Sequence, residues 1–513
     1  MVNTPNGATT VTADLDDPVA HQDWVGRASR PALPDGLWID GAAREALDGS
    51  TRTVRSPRDA AAVINLPWAG VADADRAVAA ARRGFDSGPW PRLPARERGE
   101  ILRRFADLVQ ARRSDLALLV SLEMGKPIRV AYEIELRALI NCLRFYAELA
   151  DKGHGDIPPT VEGELALVTR EPAGVVAAVV PWNFPLTIAG WKFAAALAAG
   201  CTVVLKTSER SPLSMQLVAA LGTEAGLPRG ALNVLSGDGD IAGRRLGEHP
   251  DVDVLTFTGS TAVGRHFLRY AADSNLKRVH LELGGKSPNI VLADAPDLDA
   301  AADSAAWAIF FNSGQMCTAG SRLVVHRTVA EQVVDRILHT AARWQPADPL
   351  LSTTAMGPMV DLAHRDTVLA RIERGVAAGA HLRLGGTAVL TDTGGAYLPP
   401  TVVTEAGPEN ELVREEIFGP VMAVQVVDDE NEAIRVAGAT PYGLAAAVWT
   451  SDLGAAHRIS RRLKAGTVWV NCYEEGDMNV PFGGVKLSGS GRDKSRHALE
   501  EYTDLKTTWI KYG

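Results

Sequence analysis

A chain of 513 residues, 46% hydrophobic and 22% charged, has the length for roughly two to four domains and the apolar content of a globular core. Its formal net charge of −9 gives neither nucleic acid nor an anionic membrane surface a reason to bind. Four scattered cysteines, Cys142, Cys201, Cys317 and Cys472, argue against a disulfide framework and have no zinc-ligand spacing, so no metal site and a reducing, cytoplasmic setting are expected.

The opening MVNTPNGATTVTADLDDPVA is polar and acidic, without the basic start and apolar run of a signal peptide. A disordered tail is expected over 1–21, with mobility to about residue 35. LWIDGAAREAL reads as a hairpin. Residues 73–84 and 94–122 read as helices, the second with an amphipathic stripe of Ile101, Leu102, Phe105, Leu108 and Val109. Pro172 to Trp191 is uncharged over the length of a membrane span, but Pro172, Pro181, Pro185 and Asn183 do not suit one. It reads instead as a buried strand, turn and helix.

From Gly174 strands and helices alternate: GVVAAVV, the PWNFP turn, LTIAGWKFAAALAAG closed by Gly200, then TVVLK. Ser208 is placed to cap the next helix, with Pro212 in its first turn. LNVLS, DVLTFTG, a helix after Gly264 and RVHLEL follow. Such alternation implies a parallel sheet covered on both faces, with ligands at the carboxyl ends of its strands. A second αβ stretch starts near 288. GDIPPTVEGELALVTREP is too interrupted for a core helix and reads as an exposed hairpin, and EEYTDLKTTWI reads as a terminal strand.

Several residues stand out chemically. NSGQMCTAG sets Cys317 among small residues between Gly314 and Gly320, either a tolerated loop cysteine or a thiol that a ligand can approach closely. Gly259-Ser-Thr-Ala-Val-Gly264 marks a strand–helix turn where phosphate could sit, although Thr261 occupies the place of the fingerprint's middle glycine. Glu209, just past TVVLK, is either an exposed capping charge or the acid that bonds a ribose and disfavours a 2′-phosphate. Asn183 is either a self-satisfied turn residue or an oxyanion donor, and Glu282 either a salt-bridged carboxylate or a general base.

PWNFP, GSTAVG, LELGGKSPNIV, FFNSGQMCTAGSR, EEIFGPV and PFGGVKLSGSGR occur in this order. Together they resemble the aldehyde dehydrogenase superfamily from about residue 37 to the end. The resemblance implies an α/β fold of three parts: a Rossmann-like NAD-binding domain (22–151 and 173–285), an α/β catalytic domain (286–487) and a small β oligomerisation domain (152–172 and 488–513). It further implies a homodimer or homotetramer.

By the same resemblance Cys317 is the nucleophile, Glu282 the base for the deacylating water, and Asn183 with the Cys317 N–H the oxyanion hole. Lys192 belongs to the hydrogen-bond or proton-transfer network. Trp182, Gly259 and Ser260 meet the cofactor pyrophosphate, Lys206 and Glu209 the adenosine ribose, Gly237 the adenine edge, and Glu416 with Phe418 the nicotinamide ribose. Phe184, Trp191, Met316, Thr318 and Phe482 are the expected substrate contacts. The implied reaction is NAD-dependent oxidation of a small aldehyde through a thiohemiacetal and a thioester.

NCYEEGDMNVPFGGVKLSGSGRDKSRHALE and DSNLKRVHLELGGKSPNIV resemble the branch containing γ-glutamyl-γ-aminobutyraldehyde dehydrogenase, from whose usual pattern Met316 and Val485 depart. Glu474, Glu475 and Asp477 then either line the substrate mouth and attract an amine-bearing aldehyde or form a solvated acidic loop. An enzyme of broad aldehyde range is the competing expectation.

Overall fold

Two runs of apolar strands, each alternating with helices, build two seven-stranded sheets in succession along the chain. In this computed structural model residues 19–20, 22–34 and 36–513 are described, so most of the expected tail lies outside the described residues. Part of the segment expected to be mobile to residue 35 is packed. Trp24–Ala28 is a short helix capped by Asp23, and buried Trp24 donates its indole N–H to the Val19 carbonyl.

In chain order the strands are β1 (Leu37–Ile39), β2 (Ala42–Arg44), β3 (Thr51–Arg55), β4 (Ala62–Pro67), β5 (Glu164–Pro172), β6 (Val175–Val179), β7 (Thr202–Lys206), β8 (Leu232–Leu235) and β9 (Val254–Gly259). There follow β10 (Arg278–Leu283), β11 (Pro288–Val291), β12 (Arg322–His326), β13 (His381–Leu384), β14 (Thr401–Thr404), β15 (Val421–Val427), β16 (Ala445–Trp449), β17 (Thr467–Val470) and β18 (Thr503–Lys511).

The first sheet has the order β10-β9-β6-β7-β8-β1-β2. Its first five strands are parallel, and the β1–β2 hairpin closes one edge. Every residue of β6, β7 and β8 is buried, because helices cover both faces and no polar side is needed. The second sheet has the order β13-β14-β15-β12-β11-β16-β17 and is parallel except at β13. Two ribbons, β3–β4 and β5–β18, stand outside both sheets.

Local differences from the sequence reading have physical causes. The helix expected over 94–122 is two helices, Ala95–Ala111 and Arg113–Met124, broken at Arg112 (φ −101°, ψ 19°). No Pro or Gly marks the break, and apolar spacing continues across it. Ser208 does not cap the next helix, Ser214–Glu224; buried Glu123 does so from a distance, accepting the Leu213 N–H at 2.6 Å and the Ser214 N–H at 3.3 Å.

The helix expected after Gly264 begins at Thr261, where the Ser260 hydroxyl accepts the Val263 N–H. Residues 488–502, grouped by sequence with the terminal strand, pack at the first sheet instead. Gly489 bridges Glu282, Asp493 bridges Phe482, and Tyr502 is fully buried. From that C-terminal stretch β18 alone pairs with β5, over nine residues, and Asp156 bridges Val168 of β5. Among the described residues no helix is long and apolar enough to cross a membrane.

Candidate active site

The parallel order brings five strand ends to one edge of the first sheet. Trp182 follows β6, Lys206 ends β7, Gly237 follows β8, Gly259 ends β9 with Ser260 next, and Glu282 lies near the end of β10. Past β7, Lys206 Nζ lies 2.7 Å from Glu209 Oε1, which also accepts the Gly239 N–H. Burial works against the Glu209 charge, but the Lys206 ammonium outweighs it and holds the carboxyl below its ordinary value.

Across this edge lie the amino ends of β12 and β15. Glu416, before β15, is half-buried and accepts the Gly285 N–H at 3.0 Å; a side chain at Gly284 would collide with it. Phe418 stands edge-on to Trp182 with ring centroids 5.3 Å apart. A lysine at Lys206, half-buried carboxylates at Glu209 and Glu416 and a capped helix start at one crevice suit a dinucleotide with its ribose hydroxyls and phosphates.

Cys317 follows an unusual turn. Asn312 (φ 52°), Ser313 (φ 57°) and Gly314 (φ 69°) are three left-handed residues in a row. Such backbone costs on the order of 1 kcal/mol at each non-glycine position. Side chains hold it: Ser313 Oγ donates to the Gly357 carbonyl at 2.9 Å, and Asn312 Nδ2 to the carbonyls of Gln315 (3.1 Å) and Asn183 (3.2 Å). Gly314 needs its missing side chain because the backbone of Gly419 and Pro420 presses against it. From the turn after β6, Asn183 Nδ2 donates to the Gln315 carbonyl at 2.9 Å.

The thiol opens on a cavity of about 180 Å³. Phe184, Trp191, Met316, Thr318 and Phe482 all line it, as do Glu282 and Asp493. The structure thus brings together every expected substrate contact. Trp191 and Phe482 lie 5.2 Å apart, ring to ring. Of the three acids expected at the mouth, only Glu474 reaches this wall. Glu475 offers its backbone carbonyl to Trp469, and exposed Asp477 accepts from Asn479. Val485 packs against Gly443 and is not part of the lining.

Asn183 and Lys192 stand behind the cavity wall rather than on it. Lys192 Nζ is 3.0 Å from Asp493 Oδ2 and donates to Thr256 Oγ1 at 3.1 Å.

Residues 44–508 match the aldehyde dehydrogenase family. The chain belongs to that family. It is 46% identical over 487 residues to the Escherichia coli (strain K12) NADP/NAD-dependent aldehyde dehydrogenase PuuC, covering 95% of this chain and 98% of the relative. It is 43% identical to aminoacetaldehyde dehydrogenase of Pseudomonas aeruginosa, over 96% of this chain and 99% of that one. The crystal structure of γ-glutamyl-γ-aminobutyraldehyde dehydrogenase from Burkholderia cenocepacia superposes with a TM-score of 0.94 at 51% identity, over 96% of this chain and 99% of that one.

In this aldehyde dehydrogenase burial governs the titration of the site. Desolvation pushes the Cys317 thiol well above its ordinary value, and the carboxyls of Glu474, Glu416 and Glu282 push the same way. Glu282 is also raised well above the carboxylate range, by burial and then by Asp493, against the pull of Lys192. Both its oxygens are buried without a hydrogen-bond partner. Glu416 is pushed up to about 7 by burial.

Sequence reasoning missed Ile134, Ala138, Trp307 and Phe311 in the cavity wall, and His364, whose Nε2 donates to the Phe418 carbonyl at 2.8 Å. The first four fall in helical or near-helical runs, where apolar side chains look like core. In the cofactor-free enzyme a raised thiol means little thiolate at neutral pH. Iodoacetamide should therefore label Cys317 more slowly than free cysteine at pH 7 and accelerate as pH rises beyond the ordinary thiol range. A rate at pH 7 equal to that of free cysteine would contradict the burial argument; Cys317→Ala supplies the blank.

Proposed function

We propose that this NAD-dependent aldehyde dehydrogenase oxidises aldehydes that carry a nitrogen donor, an amine or amide N–H, a few bonds from the carbonyl. The observation behind this reading is Glu474. It lines the cavity beside Thr318, with Oε1 buried and lacking a partner. Burial raises its carboxyl, opposed by the Thr318 side chain and the Lys494 charge. An unpaired buried acceptor costs about 1–3 kcal/mol, which a donor on the substrate would relieve. An ammonium would in addition favour the ionised carboxylate and face the ring of Trp191 or Phe482. The names of the aminoacetaldehyde and γ-glutamyl-γ-aminobutyraldehyde relatives agree with this class.

The reading assigns each residue a task. Cys317 Sγ adds to the aldehyde carbon as its proton passes to water. The carbonyl oxygen, now negative, takes the second amide N–H of Asn183 and the Cys317 backbone N–H. Each such donor is worth about 10²–10³ in rate. Trp182, Lys206, Glu209, Ser260 and Glu416 would hold NAD, which would supply the acceptor for the hydride whose loss from the adduct's carbon leaves a thioester on Cys317. Glu282 then takes a proton from water as the water oxygen attacks the thioester carbon, and the carboxylic acid departs as sulfur leaves. A carboxyl raised by burial is a better base near neutrality than an ordinary one. Lys192 holds Asp493, whose charge sits beside Glu282.

A second reading, a broad-range dehydrogenase of plain aromatic and aliphatic aldehydes, draws on the same wall. Trp191, Phe184, Phe311 and Phe482 make most of it apolar. For assembly we infer that the β5–β18 ribbon is covered by a second copy. Leu505, Trp509 and Tyr512 are 64%, 60% and 70% exposed, more apolar surface than a solvated ribbon keeps.

Glu282→Gln should give a first-turnover burst of NADH followed by slow steady turnover, and a full steady rate without a burst would remove Glu282 as the deacylating base. Its acid limb in kcat should lie above the usual carboxylate range, because a raised carboxyl loses its base form as pH falls through the raised value. Glu474→Gln should cut kcat/KM for an aminoaldehyde about tenfold or more while sparing a plain aldehyde of equal length, since tenfold corresponds to about 1.4 kcal/mol. Equal losses for both, or none, would favour the broad-range reading. Trp509→Glu should lower the assembly mass measured by light scattering; an unchanged mass would place the interface elsewhere.

A further inference from the structure

Lys126 and Glu135 form an ion pair with no solvent exposure on either side chain. Neither residue touches the cavity or the cofactor crevice. Isolated buried pairs contribute little net stability compared with apolar side chains of similar size, so their hydrogen bonds indicate what they do. Glu135 Oε1 accepts the N–H groups of Leu186 and Thr187, both at 2.9 Å, and so caps the start of the helix Pro185–Ala199 from another element. Lys126 Nζ donates to the Asn183 carbonyl at 2.9 Å and lies 3.8 Å from the Phe184 ring centre.

Residues 183 to 187 are therefore held at both ends by one charge pair. Glu135 ends a wide helical turn, Ala131–Glu135, whose Ile134 lines the cavity. One short segment thus supplies substrate wall and cap together.

We propose that the Lys126–Glu135 pair positions the Asn183 amide for the oxyanion, making both of them positioning residues for the chemical step. The proposal rests on the reading of Asn183 as oxyanion donor. With the Asn183 carbonyl tethered and the next helix pinned, the side-chain amide keeps one N–H on the Gln315 carbonyl and, on this reading, gives the other to the oxyanion. Loss of the tether lets the amide swing without removing it. Displacement by about 1 Å at a reacting centre costs about 10²-fold in rate.

The test is a double-mutant cycle on kcat with Lys126→Met, Asn183→Ala and the pair combined. Lys126→Met should lower kcat about 10²-fold and leave the Kd for NAD and the rate of Cys317 labelling by iodoacetamide unchanged, because alkylation forms no oxyanion. In the Asn183→Ala background the same change should add less than about threefold, since residues acting through one another are not additive. If Lys126→Met fails to fold, Lys126→Met/Glu135→Gln removes both charges, keeps the capping oxygen and takes its place in the cycle. Equal losses in both backgrounds, or a full rate in Lys126→Met while Asn183→Ala is impaired, would overturn the positioning role alone. A full rate in Asn183→Ala would overturn the oxyanion reading and this proposal with it.

Discussion

The carbonyl oxygen of Asn183 is the atom around which the site is assembled. Lys126 and Asn312 both donate to it, at 2.9 and 3.2 Å. One donor comes from the helical layer before the first sheet and the other from the loop that leads into β12. A single backbone atom therefore joins the turn after β6 to the turn before Cys317. A buried carbonyl stripped of its donors costs about 1–3 kcal/mol, so neither turn moves without the other. The left-handed run at 312–314 is tolerable because this joint and the Ser313 bond to Gly357 hold it.

Charge is arranged around that joint by exclusion of water. Glu282, Glu416, Glu474 and Asp493 are all shifted toward their protonated forms by burial. Lys192, bonded to Asp493, is the ammonium that most directly opposes this at Glu282. Burial thus works against charge on each of these acids and on the Cys317 thiol alike. Further along the crevice Lys206 and Glu209 are paired with each other, and the Lys206 ammonium holds the Glu209 carboxyl below its ordinary value.

Much of this was legible in the chain. The alternation from Gly174 to Leu283 could be followed because buried parallel strands are uniformly apolar and their ends are marked by Gly200, PWNFP and GSTAVG. The cavity contacts Phe184, Trp191, Met316, Thr318 and Phe482 followed from motifs that carry their neighbours with them. What could not be read was side-chain direction and distant partnership. Glu474, Glu475 and Asp477 look alike in sequence, but the loop turns at Glu474 (φ 58°), and only that residue meets the cavity. Glu123 and Glu135 cap helices some 90 and 50 residues away, a relation no local window contains. Lys126, in a GKP turn, has the look of a solvated charge and is fully buried.

The two halves of the site draw on different parts of the architecture. The cofactor crevice is made at the strand ends of the first sheet, faced by Glu416 and Phe418 from the approach to β15. The substrate wall shares Thr258, Glu282 and Leu283 with those strand ends and takes the rest from scattered pieces: the turn containing Ile134, one face of the helix Pro185–Ala199, the end of the helix Leu298–Phe310, and the loops carrying Glu474 and Phe482. Each piece can exchange one side chain with little effect on the others. Selection for a new aldehyde can therefore proceed by single steps on a scaffold whose redox end stays fixed, and relatives named for different substrates can remain superposable along nearly their whole length.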